Sequence, residues 1–168
     1  MEKITFLIIL LISFGLPPVF AAECELPPTI TLSAKEDYAP YNQLVVDCVD
    51  WLENTSFKEQ KNKRAKVQAF LIKWVTGSPS VHVQVTEYSM DIWSADTEKL
   101  MVLFLGGWSR ASILADHKIT DLDGLTAAVR TVLQAYTLDG APRKSREIKR
   151  LLKAEEKGEL TDYLKKKM

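Results

Sequence analysis

From Tyr41 to Tyr136 the apolar residues recur at steps of three and four, a period that confines most of the chain to packed helices. Tyr41, Leu44, Val45, Cys48, Val49 and Leu52 form a first stripe, which Asn54-Thr55-Ser56 interrupts. Val67, Phe70, Leu71, Trp74 and Val75 form a second, with Lys61, Lys63, Arg64, Lys66 and Lys73 assigned to the polar side. Gly77-Ser78-Pro79 ends that helix and is expected to open the next, with Ser78 as its N-cap. Asp96-Thr97-Glu98 reads as a cap and acidic first turn for Leu100 to Leu105, which is apolar on every side and therefore placed at the centre of the fold. Asp121 is expected to cap a further stripe of Leu125, Ala128, Val129, Val132, Leu133 and Tyr136, which Gly140-Ala141-Pro142 stops.

One segment fits two periods. Val81, Val83 and Val85 alternate with polar residues as in a strand, while Val81, Val85, Tyr88 and Ile92 share a helical face. Helix is favoured from Val81 to Trp93, because a lone strand has nothing to pair with. Strand stays open for Val81 to Tyr88. The four Trp fall once per helix, but their spacings of 23, 19 and 15 residues give no repeat. The expected fold class is all-α: a single irregular helical bundle of about five to seven helices after an N-terminal signal peptide.

The expected organisation is a signal peptide over 1–21, an irregular Pro-containing lead-in over 22–40, a helical body over 41–140 and a basic helical tail over 141–168. The signal reading rests on Lys3, the apolar run Ile4 to Leu16, the pair Pro17-Pro18 and the ending Val19-Phe20-Ala21, with cleavage placed after Ala21. Glu23 before Cys24 argues against a lipid anchor on that Cys. The longest later apolar stretch, Leu100 to Trp108, is nine residues and too short to span a bilayer. A soluble periplasmic or secreted protein is therefore expected. In such a compartment the only two cysteines, Cys24 and Cys48, are expected to form a disulfide.

Charge separates along the chain. The whole sequence is neutral, with 22 Lys+Arg and 22 Asp+Glu. Residues 141–168, however, carry ten Lys+Arg against five Asp+Glu, and residues 22–140 carry eleven against sixteen. Overall neutrality argues against a nucleic-acid partner. The tail, two short amphipathic pieces hinged at Gly158, is expected to lay its cations across the acidic body. A contact between the basic tail and an anionic membrane surface is the alternative.

Few side-chain patterns carry chemistry. His82 and His117 lack a nucleophile elbow, and Gly106-Gly107-Trp108-Ser109 has glycine on one side only. Asp116, Asp121, Asp123 and Gly124 suggest a calcium loop, but the register puts Ile119 at its first position and Arg130 at its twelfth. Glu87 with Asp91, and Asp47 with Asp50, are carboxylate pairs one helical turn apart, as a small hydrolase could use. Gly106 and Gly107 inside an apolar helix each cost about 1 kcal/mol relative to Ala, so a close crossing or a pocket floor near Trp108 and Arg110 is expected there. Asn54-Thr55-Ser56 matches a glycosylation sequon. No catalytic residue, metal ligand or cofactor motif is assigned.

Leu-Met-Val-Leu-Phe-Leu-Gly-Gly-Trp-Ser-Arg over Leu100 to Arg110, Tyr136 and the Lys-rich end with Lys157-Gly158-Glu159-Leu160 resemble small exported bacterial helical proteins with no assigned activity. The resemblance implies export and a helical fold, and transfers no catalytic residue. The functional expectation is a non-catalytic periplasmic or secreted interaction module with a protein partner in the envelope or outside the cell. A carboxylate-dependent hydrolase and a tail-driven binder of anionic surfaces are the alternatives.

Overall fold

The computed structural model describes residues 23–94, 96–138 and 145–168. The expected signal peptide and the Gly140-Ala141-Pro142 stop lie outside them. Among the described residues seven α-helices follow one another: α1 (Asn42–Asn54), α2 (Lys61–Gly77), α3 (Glu87–Trp93), α4 (Thr97–Leu114), α5 (Asp121–Leu138), α6 (Arg146–Glu156) and α7 (Leu160–Lys165). No strand occurs among the described residues, and the all-helical bundle read from periodicity is what forms.

α4 is the axis. It packs against α1, α2, α3 and α5, and Leu100, Val102, Leu103 and Phe104 are all at most 2% exposed. This is the expected result for a helix apolar on every side. The four Trp fall on α1 to α4 and are all buried. The lead-in, irregular apart from two short 3₁₀ turns, is pinned by buried Cys24 and Leu32. Cys24 and Cys48 form a disulfide at a sequence separation of 24. Trp74 Nε1–H donates to the Tyr38 carbonyl (3.1 Å), fixing the end of the lead-in on α2.

Several local expectations are corrected. Residues 79–86 are a strap, bent at 79–80 and neither helix nor paired strand, and Ser78 follows the end of α2 without opening the next helix. Val81 is buried, Val83 half-buried and Val85 exposed, so the alternating β-branched residues lie along the bundle as a single strap. Helix begins only at Glu87, where a reciprocal capping box takes over: Thr86 Oγ1 accepts from Ser89 N–H (3.2 Å) and Ser89 Oγ accepts from Thr86 N–H (3.3 Å). Asp121 is the first residue of α5 and not its cap. That role falls to Thr120, whose hydroxyl accepts from Asp123 N–H (3.2 Å), while Asp123 Oδ2 accepts from Thr120 N–H (3.1 Å). Asp96 precedes α4 as expected, but its carboxylate receives Lys99 Nζ (2.7 Å) and makes no side-chain bond to the helix N–H groups.

A further correction is Arg64, which belongs to the buried face of α2 and not to its polar side. It is 4% exposed and donates to the carbonyls of Leu52, Thr55 and Ser56 at the C-terminal end of α1. Its guanidinium lies 5.6 Å from the Trp51 ring and 5.0 Å from that of Phe57. The last carbonyls of a helix have no intrahelical donor and carry partial negative charge, so a cation there serves as an interhelical cap.

Candidate functional site

The glycine pair lies where helices cross. A Cβ on Gly106 would stand 2.8 Å from Cγ2 of Val49 in α1. One on Gly107 would stand 2.5 Å from Thr131 Oγ1 and 3.0 Å from the Ala128 backbone in α5. Gly124 of α5 lies flat against the Trp108 indole, where a Cβ would fall 2.6 Å from Nε1. Trp108 is 3% exposed, and one edge of it lines a small cleft with Leu125, Tyr88 and the chain end at Lys167-Met168. Trp108 and Arg110, paired in the sequence reading, line different clefts.

Arg110 gathers three helices. One terminal nitrogen donates to Asp50 and to Glu53 Oε1 (2.7 Å), and the other to Glu53 Oε2 (2.9 Å) and Thr131 Oγ1 (2.9 Å). Burial alone would lower the guanidinium pKa, but the hydrogen bonds and charges of Glu53 and Asp50 outweigh it and raise it. The group is a fixed cation between two carboxylates, bidentate to one of them. A cleft of about 400 Å³ opens beside it, lined also by Arg130, Gln134, Leu152 and Glu155. Arg130 and Glu155 are themselves paired at 2.9 Å.

The carboxylate pairs separate in role. Asp50 serves Arg110, whereas Asp47 accepts from Gln43 Nε2 (2.8 Å). Glu87 and Asp91 lie a turn apart and exposed on α3. His82 is exposed on the strap. His117, in the left-handed region with Asp116, has Nδ1 3.3 Å from Ser112 Oγ. Asp116 pairs with Lys118 (2.6 Å), so it does not orient that imidazole, and the Ser–His contact belongs to the turn ending α4. Among the described residues no group of three His, Cys, Asp or Glu could hold a metal, and no helix is long and apolar enough to cross a membrane.

The tail docks differently from the expectation that its cations would meet body acids. Ile148, Leu151, Leu160 and Leu164 are at most 1% exposed and face the bundle. Among the described residues, the ion pair between tail and body runs in the reverse sense, from Arg130 on α5 to Glu155 on α6. Glu147 is the tail's polar anchor: its Oε1 accepts from Tyr88 (2.7 Å) and Tyr163 (2.9 Å), and its Oε2 from Arg150 (3.2 Å). Burial alone would raise the Glu147 pKa, but these donors and the Lys167 charge outweigh it and hold it below 4.5. Burial first, then the Glu147 hydrogen bond and charge, push both phenols up. Lys167 Nζ sits 5.6 Å and 5.7 Å from the rings of Tyr88 and Tyr163. Arg146, Lys149, Arg150, Lys153, Lys157 and Lys165 to Lys167 are all exposed.

Sequence reasoning missed Glu147 and Tyr88 as partners, since 59 residues separate them and no local pattern joins them. Arg64 left a faint signal: it stands three residues before Val67, on the apolar face.

These features define a disulfide-braced bundle in which main-chain carbonyls hold buried Arg64, carboxylates hold Arg110, and the tail's described cations turn outward. No family model matches the chain, and neither a curated protein nor a solved structure does.

Proposed function

We propose that this chain is an exported helical module that binds a partner and does not turn it over. The observation that carries the reading is the state of its convergent ionisable groups. Around Arg110 four hydrogen bonds lock the guanidinium to Asp50, Glu53 and Thr131, and around Glu147 three donors hold the carboxylate. Groups so engaged brace helices; they are not poised to exchange protons with a substrate. The buried Cys24–Cys48 disulfide suits an oxidising compartment and supports export beyond the cytoplasm.

The test is in-cell crosslinking of the native protein, with pull-down from the envelope and the medium followed by mass spectrometry. A specific partner recovered with protein whose thiols resist alkylation until reduced is the expected result. Turnover on a hydrolase panel, abolished by Glu87→Ala with Asp91→Ala, would instead establish the carboxylate-dependent hydrolase.

A further inference from the structure

The outward cations of α6 are ordered. At 100° per residue, Arg146, Lys149, Arg150, Lys153 and Lys157 fall within one arc of about 100°, opposite buried Ile148 and Leu151. They run for about 16 Å at a rise of ~1.5 Å per residue. Glu156, the exposed acid of α6, lies just outside that arc. At the N-terminal end the stripe opens into a polar cleft of about 410 Å³, lined by Arg146, Arg150 and Lys167 together with Ser94 and Ser145. Two carboxylates, Asp91 and Glu147, line it as well, and Glu147 is already held by its three donors. The cleft therefore keeps an excess of positive charge.

We infer that this stripe and its end cleft bind a linear polyanion bearing sulfate or phosphate groups. The inference rests on the reading of the chain as an interaction module and names the surface and the chemistry of its partner. Three features choose the occupant. The apolar face of α6, which a membrane-surface helix would insert among acyl chains, is spent against the bundle. No aromatic residue stands within the arc, and Tyr88 in the end cleft already gives its hydroxyl to Glu147 and its ring to Lys167, so nucleobases find no row of stacking platforms. What the stripe offers is a row of solvated charges about one helical turn apart, which suits regularly spaced anions on an extended chain.

The test is fluorescence anisotropy of the full mature chain with labelled polyphosphate and with labelled dextran sulfate across a salt series. Binding of either polymer that weakens with salt supports the inference, and the tighter one identifies the anion. Lys149→Gln, Lys153→Gln and Lys157→Gln together should weaken binding at least ~10-fold at low salt and flatten the log–log salt slope by about 2. Lys61→Gln, Lys66→Gln and Lys73→Gln on α2 should change it less than about 2-fold, and circular dichroism checks that both triples fold.

Equal loss in the two triples, or none in the α6 triple, would overturn the proposal. Single-stranded DNA outcompeting both polymers would overturn it too, as would binding confined to vesicles of phosphatidylcholine and phosphatidylglycerol. Failure of both polymers with a crosslinked protein partner still recovered would defeat this inference and leave the module reading standing.

Discussion

At single residues, the decisive quantity is whether a neighbour can move. A methyl on Gly107 meets the Ala128 backbone at 3.0 Å as well as Thr131, whereas one on Gly106 meets only the side chain of Val49, so a small outward shift there is offset by the helix propensity that Ala gains over Gly. Gly107→Ala should therefore destabilise by about 2–3 kcal/mol, and Gly106→Ala by about 1 kcal/mol or less; urea unfolding of the two variants orders them. Arg110→Met strands Asp50 and Glu53, of which Glu53 is 14% exposed. Removing one partner of a buried pair costs more than the pair contributes, so a loss of about 2–3 kcal/mol is expected, with Arg110→Lys retaining part of it. Equal stability of Met and wild type would show that the cluster braces nothing. The need for small residues at 106 and 107 was legible in the sequence, since two helix-interior glycines call for compensation. The partners of Arg110 were not, because they lie 57 and 60 residues away and any surface carboxylate could have been chosen.

Among the helices, periodicity located stripes well and boundaries less well. The core of α1, α2, α4 and α5 follows directly from the three-and-four spacing. The strap at 79–86 escaped because its valines satisfy both periods, and the choice was made by the Thr86–Ser89 box and by the bundle that covers Val81. Arg64 escaped because a cation on an apolar face reads as an exception until the neighbouring helix end is known. The docking of α6 and α7 supplies a pH prediction. Glu147 is depressed in the folded state, so the stability it contributes is fully present above its unfolded value near 4.5. That contribution is lost as pH falls through the lower folded value. Glu147→Gln should flatten that part of the acid-unfolding profile, and a variant as steep as wild type below pH ~4.5 would show that the Tyr88–Glu147–Tyr163 junction does not form.

For the whole molecule, the disulfide closes the lead-in onto α1 across a separation of 24 residues. Cys24→Ser with Cys48→Ser should cost about 3 kcal/mol through release of loop-closure entropy in the unfolded chain, read as a lower urea midpoint with a slope at least as steep as wild type, because the uncrosslinked unfolded chain exposes more surface. The neutral total charge conceals two arrangements. Lengthwise separation of a basic end from an acidic body was visible in the sequence. The radial arrangement was not: Glu147 and Glu155 turn inward while the tail's described cations turn outward, and only packing decides which side of a helix is covered.

Magnitudes favour apolar docking. Four fully buried Leu and Ile side chains contribute about 1.5–3 kcal/mol each before entropy, against about 0–1 kcal/mol for an exposed ion pair such as Arg130–Glu155. Native-state hydrogen exchange at the amides of Leu151 and Leu164, in low and in high salt, tests this directly. Protection that survives high salt and collapses in Leu151→Ala is the predicted result. Protection lost in salt alone would mean that charge holds the tail, and would contradict the account.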